Sequence, residues 1–150
     1  MPGLEDLYRE IILDHYRTPR NRGELPPPAA HAVGHNPLCG DEIDVYLQVD
    51  GDTVTDVKVG GQGCSISQSS ASMMTEAVTG ASVQDALALA SEFRGMMAGD
   101  VEPSEDRFGD LVALKGVVKY PIRIKCAVLA WDVLQDALQS DGSATAAASH

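Results

Sequence analysis

The chain has three cysteines, Cys39, Cys64 and Cys126, and the first lies two residues before Asp41. Three sulfurs and one carboxylate form a ligand set that suits zinc, which binds both donor types in tetrahedral sites. The cysteines show no close Cys-x-x-Cys spacing, so spacing alone leaves three ordinary buried cysteines as an alternative. The sequence therefore raises two questions: whether these residues share a metal ion, and whether one of the thiols does chemistry.

Two of the cysteines lie where the local sequence would stabilise a thiolate. Cys64 follows the glycine-rich residues 60–63 and precedes a helical pattern, which predicts it at a helix N-terminus with its partial positive charge. Cys126 follows a basic cluster, and Arg123 would share its helix face. The cluster consists of Lys115, Lys119, Arg123 and Lys125. A solvated basic face is an equally simple interpretation of the cluster, and Asp41 taken alone is as typical of a turn.

Length and charge limit the classes of function. The chain has 150 residues and a net charge of −11, from 11 basic and 22 acidic side chains. This length predicts one domain that buries enough surface to fold without a structural metal. The acidic balance argues against nucleic-acid binding and against adhesion to anionic membranes. The absence of a signal-peptide pattern or membrane span, with few cysteines, predicts a protein of the reducing cytoplasm.

The hydrophobic pattern predicts an α+β fold, with helices packed on one face of a small antiparallel β-sheet. The predicted elements in chain order are a helix over residues 4–17, a proline-rich loop over 20–37, a hairpin with strands over 43–49 and 55–59, a helix over 64–79, a helix from the Ser82–Asp85 capping box to Met97, a short helix or irregular segment over 111–119, and a helix from Pro121 with the apolar stripe Ile122, Cys126, Leu129, Val133 and Ala137. One domain is expected over residues 1–139, with a disordered tail over 140–150.

Four segments match one known family in the same order. They are residues 8–21 (YREIILDHYRTPRN), 36–41 (NPLCGD), 61–65 (GQGCS) and 121–131 (PIRIKCAVLAW). Over residues 4–138 the chain resembles the SufU family, the zinc-containing relatives of the IscU iron–sulfur scaffold. The resemblance implies the IscU-like α+β fold and a pyridoxal-phosphate cysteine desulfurase of the SufS type as partner. It also implies one zinc ion bound by Cys39, Asp41, Cys64 and Cys126.

The resemblance further implies a sulfurtransferase that accepts persulfide sulfur from the desulfurase for iron–sulfur cluster assembly and serves downstream scaffold proteins. Cys39, on a loop flanked by glycine, is the expected acceptor, since a desulfurase histidine is thought to replace it on zinc. Arg123 is expected to steady the charge of the transferred sulfur or to pair with Asp41. Two departures from IscU favour this branch: Lys125 stands where IscU scaffolds have a histidine, and residues 93–113 look like the insertion typical of SufU. The alternatives are a cluster scaffold of the IscU type and a structural zinc module that regulates a partner.

Overall fold

The computed structural model describes residues 4–27, 29–36, 40–100, 102 and 105–140. Its elements are α1 (Leu4–Arg17), β1 (Ala30–Asn36), β2 (Asp41–Asp50), β3 (Thr53–Gln62), α2 (Ser65–Val78), α3 (Val83–Met97), α4 (Glu105–Phe108), a 3₁₀ segment (Gly109–Lys119) and α5 (Pro121–Ser140). Cys39 and the tail residues 141–150 lie outside the described residues. The predicted α+β class is confirmed.

The three strands form one antiparallel sheet in the order β1–β2–β3. β2 and β3 form the predicted hairpin, and Gly51 at its turn has a φ of +66°, a conformation that favours glycine. The prediction of a loop over residues 20–37 is wrong for its second half, because residues 30–36 form β1. Asn36 pairs with Asp41 at one end of β1, and Ala30 pairs with Leu47 at the other. This edge strand contains alanine, glycine and histidine, so it lacks the branched apolar alternation that indicates a strand.

The core lies between the sheet and the helices, chiefly α2 and α5. Alternate residues of β2, namely Ile43, Val45 and Leu47, are completely buried. Gly34 lets α5 approach β1 closely, since a Cβ at this position would lie 2.4 Å from Val133 Cγ2. The single tryptophan, Trp131 on α5, is also completely buried. This packing holds the middle of α5 against β1 and β2.

The helix ends follow local signals. Ser82 Oγ accepts a hydrogen bond from Asp85 N–H at 3.0 Å and caps α3, as predicted. α5 begins at Pro121, also as predicted, but Ile122 is 67% exposed, so the buried stripe begins one turn later than expected. The ambiguous residues 111–119 belong to the 3₁₀ segment. Among the described residues, no helix combines the length and apolarity needed to cross a membrane.

Candidate metal centre

Three elements bring an aspartate and two cysteines together. Asp41 is the first residue of β2, Cys64 is the N-cap of α2, and Cys126 lies in the second turn of α5. One ligand atom from each lies within 4.8 Å of the others. Cys126 is completely buried, Asp41 is 2% exposed, and Cys64 is partly exposed. Three of the four predicted ligand residues thus converge, while Cys39, which lies outside the described residues, precedes Asp41 by two positions.

Asp41 is held by the beginning of α2. Its Oδ1 accepts a hydrogen bond from the Cys64 backbone N–H at 3.0 Å and another from the Ser67 hydroxyl at 3.2 Å. The first turn of α2 has no acidic residue of its own. Asp41 therefore supplies, from a neighbouring strand, the negative charge that a helix N-terminus and its unpaired N–H groups favour.

The second oxygen of the same carboxylate distinguishes this site from a simple helix cap. Asp41 Oδ2 is buried and has no hydrogen-bond partner within the described part of the chain. A buried carboxylate oxygen without a partner is costly, and two nearby thiols that could ionise increase the negative charge to be compensated. A divalent cation would satisfy the free oxygen and both sulfurs at once. One carboxylate and two thiols are donors that zinc accepts, so the residues fit this metal.

Polar side chains behind the ligands orient the two sulfurs. Asn36 Nδ2 lies 3.7 Å from Cys126 Sγ in the protein interior, in a contact that is a weak hydrogen bond. Ser67 Oγ lies 3.9 Å from Cys64 Sγ and 3.1 Å from the Cys64 carbonyl oxygen. The Cys64 side chain makes no capping hydrogen bond to α2, so its sulfur is not used to end the helix.

Sequence reasoning did not assign functions to Ser67 or Asn36. Ser67 lies three residues after the N-cap Cys64, and this position is the signal that could have found it. Asn36 reaches the site because it pairs with Asp41 across β1 and β2. That register depends on a strand that the sequence pattern did not predict.

Gly63 makes room for this arrangement. A Cβ at Gly63 would lie 2.5 Å from Asp41 Oδ1 and 2.3 Å from Ser67 Oγ. Both distances are far below ordinary van der Waals contact, so any side chain here would displace the carboxylate or its donor. Gly63, in the glycine-rich stretch before Cys64, therefore allows the close approach of β2 to α2.

Arg123 lies on the exposed side of α5, one turn before Cys126. It lines a groove of about 340 Å³ between α1, the 3₁₀ segment and the beginning of α2. Ser65, the residue after Cys64, lines the same groove, as do two further cations, Arg9 and Lys119. The groove thus lies next to the ligand cluster and has a positive rim on an acidic protein. The predicted pairing of Arg123 with Asp41 stays a prediction.

The fold and the site together define a small α+β domain with a thiol–carboxylate metal centre at a helix N-terminus. Residues 7–148 match the family model of the NifU-like N-terminal domain, and the chain belongs to this family. It is 46% identical over 133 residues to the zinc-dependent sulfurtransferase SufU of Bacillus subtilis (strain 168), covering 89% of this chain and 90% of that protein. It is 40% identical over 141 residues to the iron–sulfur cluster assembly scaffold protein IscU of Streptococcus pyogenes serotype M1, covering 94% and 88%.

A solved structure gives the same result for the fold. The crystal structure of a candidate iron–sulfur cluster assembly scaffold protein for the SUF system, from Fervidobacterium islandicum AW-1, is 36% identical to this chain with a TM-score of 0.82. The match covers 91% of this chain and 99% of that one. The resemblance to SufU and IscU-like proteins inferred from the four sequence segments is confirmed, and the chain is a member of the SufU/IscU family of iron–sulfur cluster assembly.

Proposed function

We propose that this protein is a zinc-dependent sulfurtransferase. It accepts persulfide sulfur from a SufS-type cysteine desulfurase and passes it on for iron–sulfur cluster assembly by downstream scaffold proteins. The observation that carries the proposal is the convergence of Asp41, Cys64 and Cys126 within 4.8 Å, with one buried Asp41 oxygen that lacks a partner among the described residues. The similarity to a relative named as a zinc-dependent sulfurtransferase supports the same conclusion.

The proposed zinc ligands are Cys39, Asp41, Cys64 and Cys126. Bound zinc would keep the cysteines as thiolates and would add no redox chemistry of its own. The protein contributes the geometry: the α2 N-terminus fixes Asp41 through Cys64 N–H, and the interior fixes Cys126. Asp41, Cys64 and Cys126 therefore lie in or at the end of packed elements, and Cys39 precedes Asp41 by two positions in the sequence.

In the proposed reaction, Cys39 is the sulfur acceptor. Its thiolate attacks the outer sulfur of the persulfide on the desulfurase cysteine, and a new S–S bond forms as the old one breaks. The desulfurase cysteine leaves as a thiolate, and the protein carries Cys39 as a persulfide that retains the transferred proton. The exchange needs no external oxidant or reductant. Arg123, on the rim of the groove beside Ser65, would balance the negative charge of the attacking and leaving thiolates.

Lys125 is the observation that separates this proposal from an IscU-type scaffold. It immediately precedes Cys126 and is exposed on α5. An ammonium group is not a ligand for iron–sulfur clusters, which are held by thiolates and sometimes by imidazole. The scaffold function stays the second candidate because a relative named as a scaffold is 40% identical to this chain. A structural zinc module without sulfur transfer is the third.

Mass spectrometry of the full chain tests the transfer directly. The zinc-loaded protein is incubated with a SufS-type desulfurase and cysteine, trapped with an alkylating agent, and mapped by peptide. We expect a gain of one sulfur on Cys39, and no gain in Cys39→Ser. An unmodified wild-type chain, in a mixture where the desulfurase turns over, would exclude sulfur transfer. Anaerobic reconstitution with iron and sulfide tests the scaffold alternative, which a stable and transferable cluster would favour.

A second comparison tests Arg123. We expect Arg123→Ala to slow sulfur transfer about tenfold, which corresponds to about 1.4 kcal/mol in the barrier, with zinc content unchanged. Lys125→Ala is the matched control, because this exposed cation lies two residues away on α5 but does not line the groove. Equal transfer rates in the two variants would remove Arg123 from the mechanism and leave the Cys39 result intact.

A further inference from the structure

A second group of potential metal ligands lies where α1, α2 and the 3₁₀ segment meet. His15, Glu76 and Asp110 each place one ligand atom within 4.8 Å of the others. His15 Nε2 lies 3.0 Å from Asp110 Oδ2 and 3.7 Å from Glu76 Oε1. The cluster shares no residue with the thiol–carboxylate centre, so a metal ion could bind here whether or not the protein transfers sulfur.

His15 is completely buried and its ring is fixed from behind. Nδ1 lies 2.8 Å from Ser72 Oγ, and this oxygen also accepts a hydrogen bond from the Arg20 backbone N–H at 2.9 Å. In one tautomer Nε2–H donates to Asp110 and Nδ1 accepts from the Ser72 hydroxyl; in the other Nδ1–H donates to Ser72, and Nε2 can bind a cation that lies between the carboxylates. A histidine held through one nitrogen by a buried polar group, with the other directed at acidic ligands, has the arrangement of a metal ligand.

A cavity of about 280 Å³ borders the cluster and gives an ion access to it. Glu76 and Asp110 line this cavity, and their side chains are 50% and 56% exposed. Asp106 lines the same cavity and adds a third carboxylate to its wall. The space accommodates an ion together with water molecules that complete its coordination.

The charges around the cluster also favour a bound cation. The Glu76 and Asp110 carboxylates lie close together on a chain whose net charge is −11, so a cation between them reduces their mutual repulsion. Arg20 is close enough to interact electrostatically with both Glu76 and Asp110. Its guanidinium, however, donates a hydrogen bond to Asp14 Oδ2 at 2.5 Å. A metal ion bound between these side chains would supply positive charge at this position.

We propose that His15, Glu76 and Asp110 form a second metal site, for a divalent transition ion such as Mn²⁺ or Fe²⁺. One imidazole and two carboxylates prefer harder ions than a centre of thiolates does. The ion would join α1 and α2 to the 3₁₀ segment. Since α1 and the 3₁₀ segment also form walls of the groove beside Cys64, it would fix the shape of that groove.

Titration with Mn²⁺, followed by electron paramagnetic resonance, tests this site on the zinc-loaded full chain. Mn²⁺ competes poorly for thiolates, so the first centre does not interfere. We expect one bound Mn²⁺ per chain and a loss of affinity of about tenfold or more in Glu76→Gln and Asp110→Asn. Glu42→Gln is the matched control, since Glu42 is 46% exposed and also contacts a histidine, His35, at 2.9 Å. This variant should bind Mn²⁺ like the wild type.

The possible outcomes separate this site from the proposed function. Cys64→Ser should lose zinc and retain Mn²⁺, so failure of the first centre leaves the second measurable. Absence of Mn²⁺ binding in the wild type would overturn the proposal. Equal Mn²⁺ binding by wild type and Glu76→Gln would show binding elsewhere on the acidic surface and would also overturn it. Both test positions are half exposed, and circular dichroism checks that the variants are folded.

Discussion

Replacement of Ser67 by alanine tests the metal centre through one hydrogen bond, without removing a ligand. Ser67 Oγ donates to Asp41 Oδ1 at 3.2 Å, and the other described donor to this oxygen is Cys64 N–H at 3.0 Å. Ser67 is completely buried, so the substitution leaves no ready access for a replacing water molecule. We expect the carboxylate to stay near its position but to be held less firmly.

The structure gives the size of the effect. A hydrogen bond to a charged group contributes about 1.5–3 kcal/mol. The Ser67 hydroxyl can also donate its single proton to the Cys64 carbonyl oxygen at 3.1 Å. The hydrogen bond to Asp41 is therefore formed only part of the time. We therefore expect the lower part of this range, about 1.5–2 kcal/mol, which is about a 10- to 30-fold weaker zinc affinity. Loss of an outer hydrogen bond at metal sites typically costs about 10- to 100-fold, in agreement with this value.

The assay is a competition titration of zinc against a chromophoric chelator. Ser70→Ala is the matched control, because Ser70 lies on the same helix, is also completely buried, and donates to the Ala127 carbonyl oxygen at 2.6 Å. Both variants should lose comparable stability, which the fluorescence of the single tryptophan reports, but only Ser67→Ala should lose zinc affinity. Wild-type affinity in Ser67→Ala, or an equal loss in Ser70→Ala, would refute the reasoning.

Two further substitutions test the packing at the site and a surface ion pair. Gly63→Ala should weaken zinc binding, because the added methyl group would lie 2.5 Å from Asp41 Oδ1, whereas Gly116→Ala, with no atom within 4 Å of the new Cβ, should bind zinc normally; equal affinities would contradict this. The hydrogen bond from Arg20 lowers the pKa of Asp14, so this carboxylate stabilises the fold above its unfolded pKa and loses that contribution as pH falls through its folded pKa. Thermal unfolding of Asp14→Asn should therefore show lower stability than wild type at neutral pH and convergence in acid, and a difference independent of pH would contradict the assignment.

Local signals in the sequence predicted most of the helices. The apolar spacing of α1, the Ser82 cap of α3 and the proline at the beginning of α5 act within one or two turns, so they can be recognised without tertiary information. β1 could not be recognised in this way. Its residues have little strand preference of their own, and pairing with β2 and packing against α5 determine its conformation.

In the candidate site, too, some residues could be predicted from the sequence and others depend on the tertiary fold. Asp41, Cys64 and Cys126 were predicted to converge, because carboxylates and thiols bind zinc and the resemblance implied one zinc ion shared by them. The structure brings these three residues together. Asn36 and Ser67, which contact these ligands, reach them through the register of β1 and β2 and the approach of β2 to α2. Neither feature can be predicted from the spacing of residues near them in the sequence. His15 shows the same limit, since the residues near it in sequence do not reveal Glu76 and Asp110, and only the fold brings these carboxylates to it.

Asp41 can serve both the helix and a metal ion, because its two carboxylate oxygens have different surroundings. One oxygen caps the N-terminus of α2 by accepting a hydrogen bond from Cys64 N–H, and the other is available to a metal ion. A thiolate would use one sulfur for both contacts, whereas the carboxylate has a separate oxygen for each. Because the helix cap remains when the metal coordination changes, Asp41 and Cys64 keep their mutual position. Under the proposed function, exchange of a ligand would then be concentrated on Cys39, the acceptor of sulfur, while the rest of the centre stays assembled.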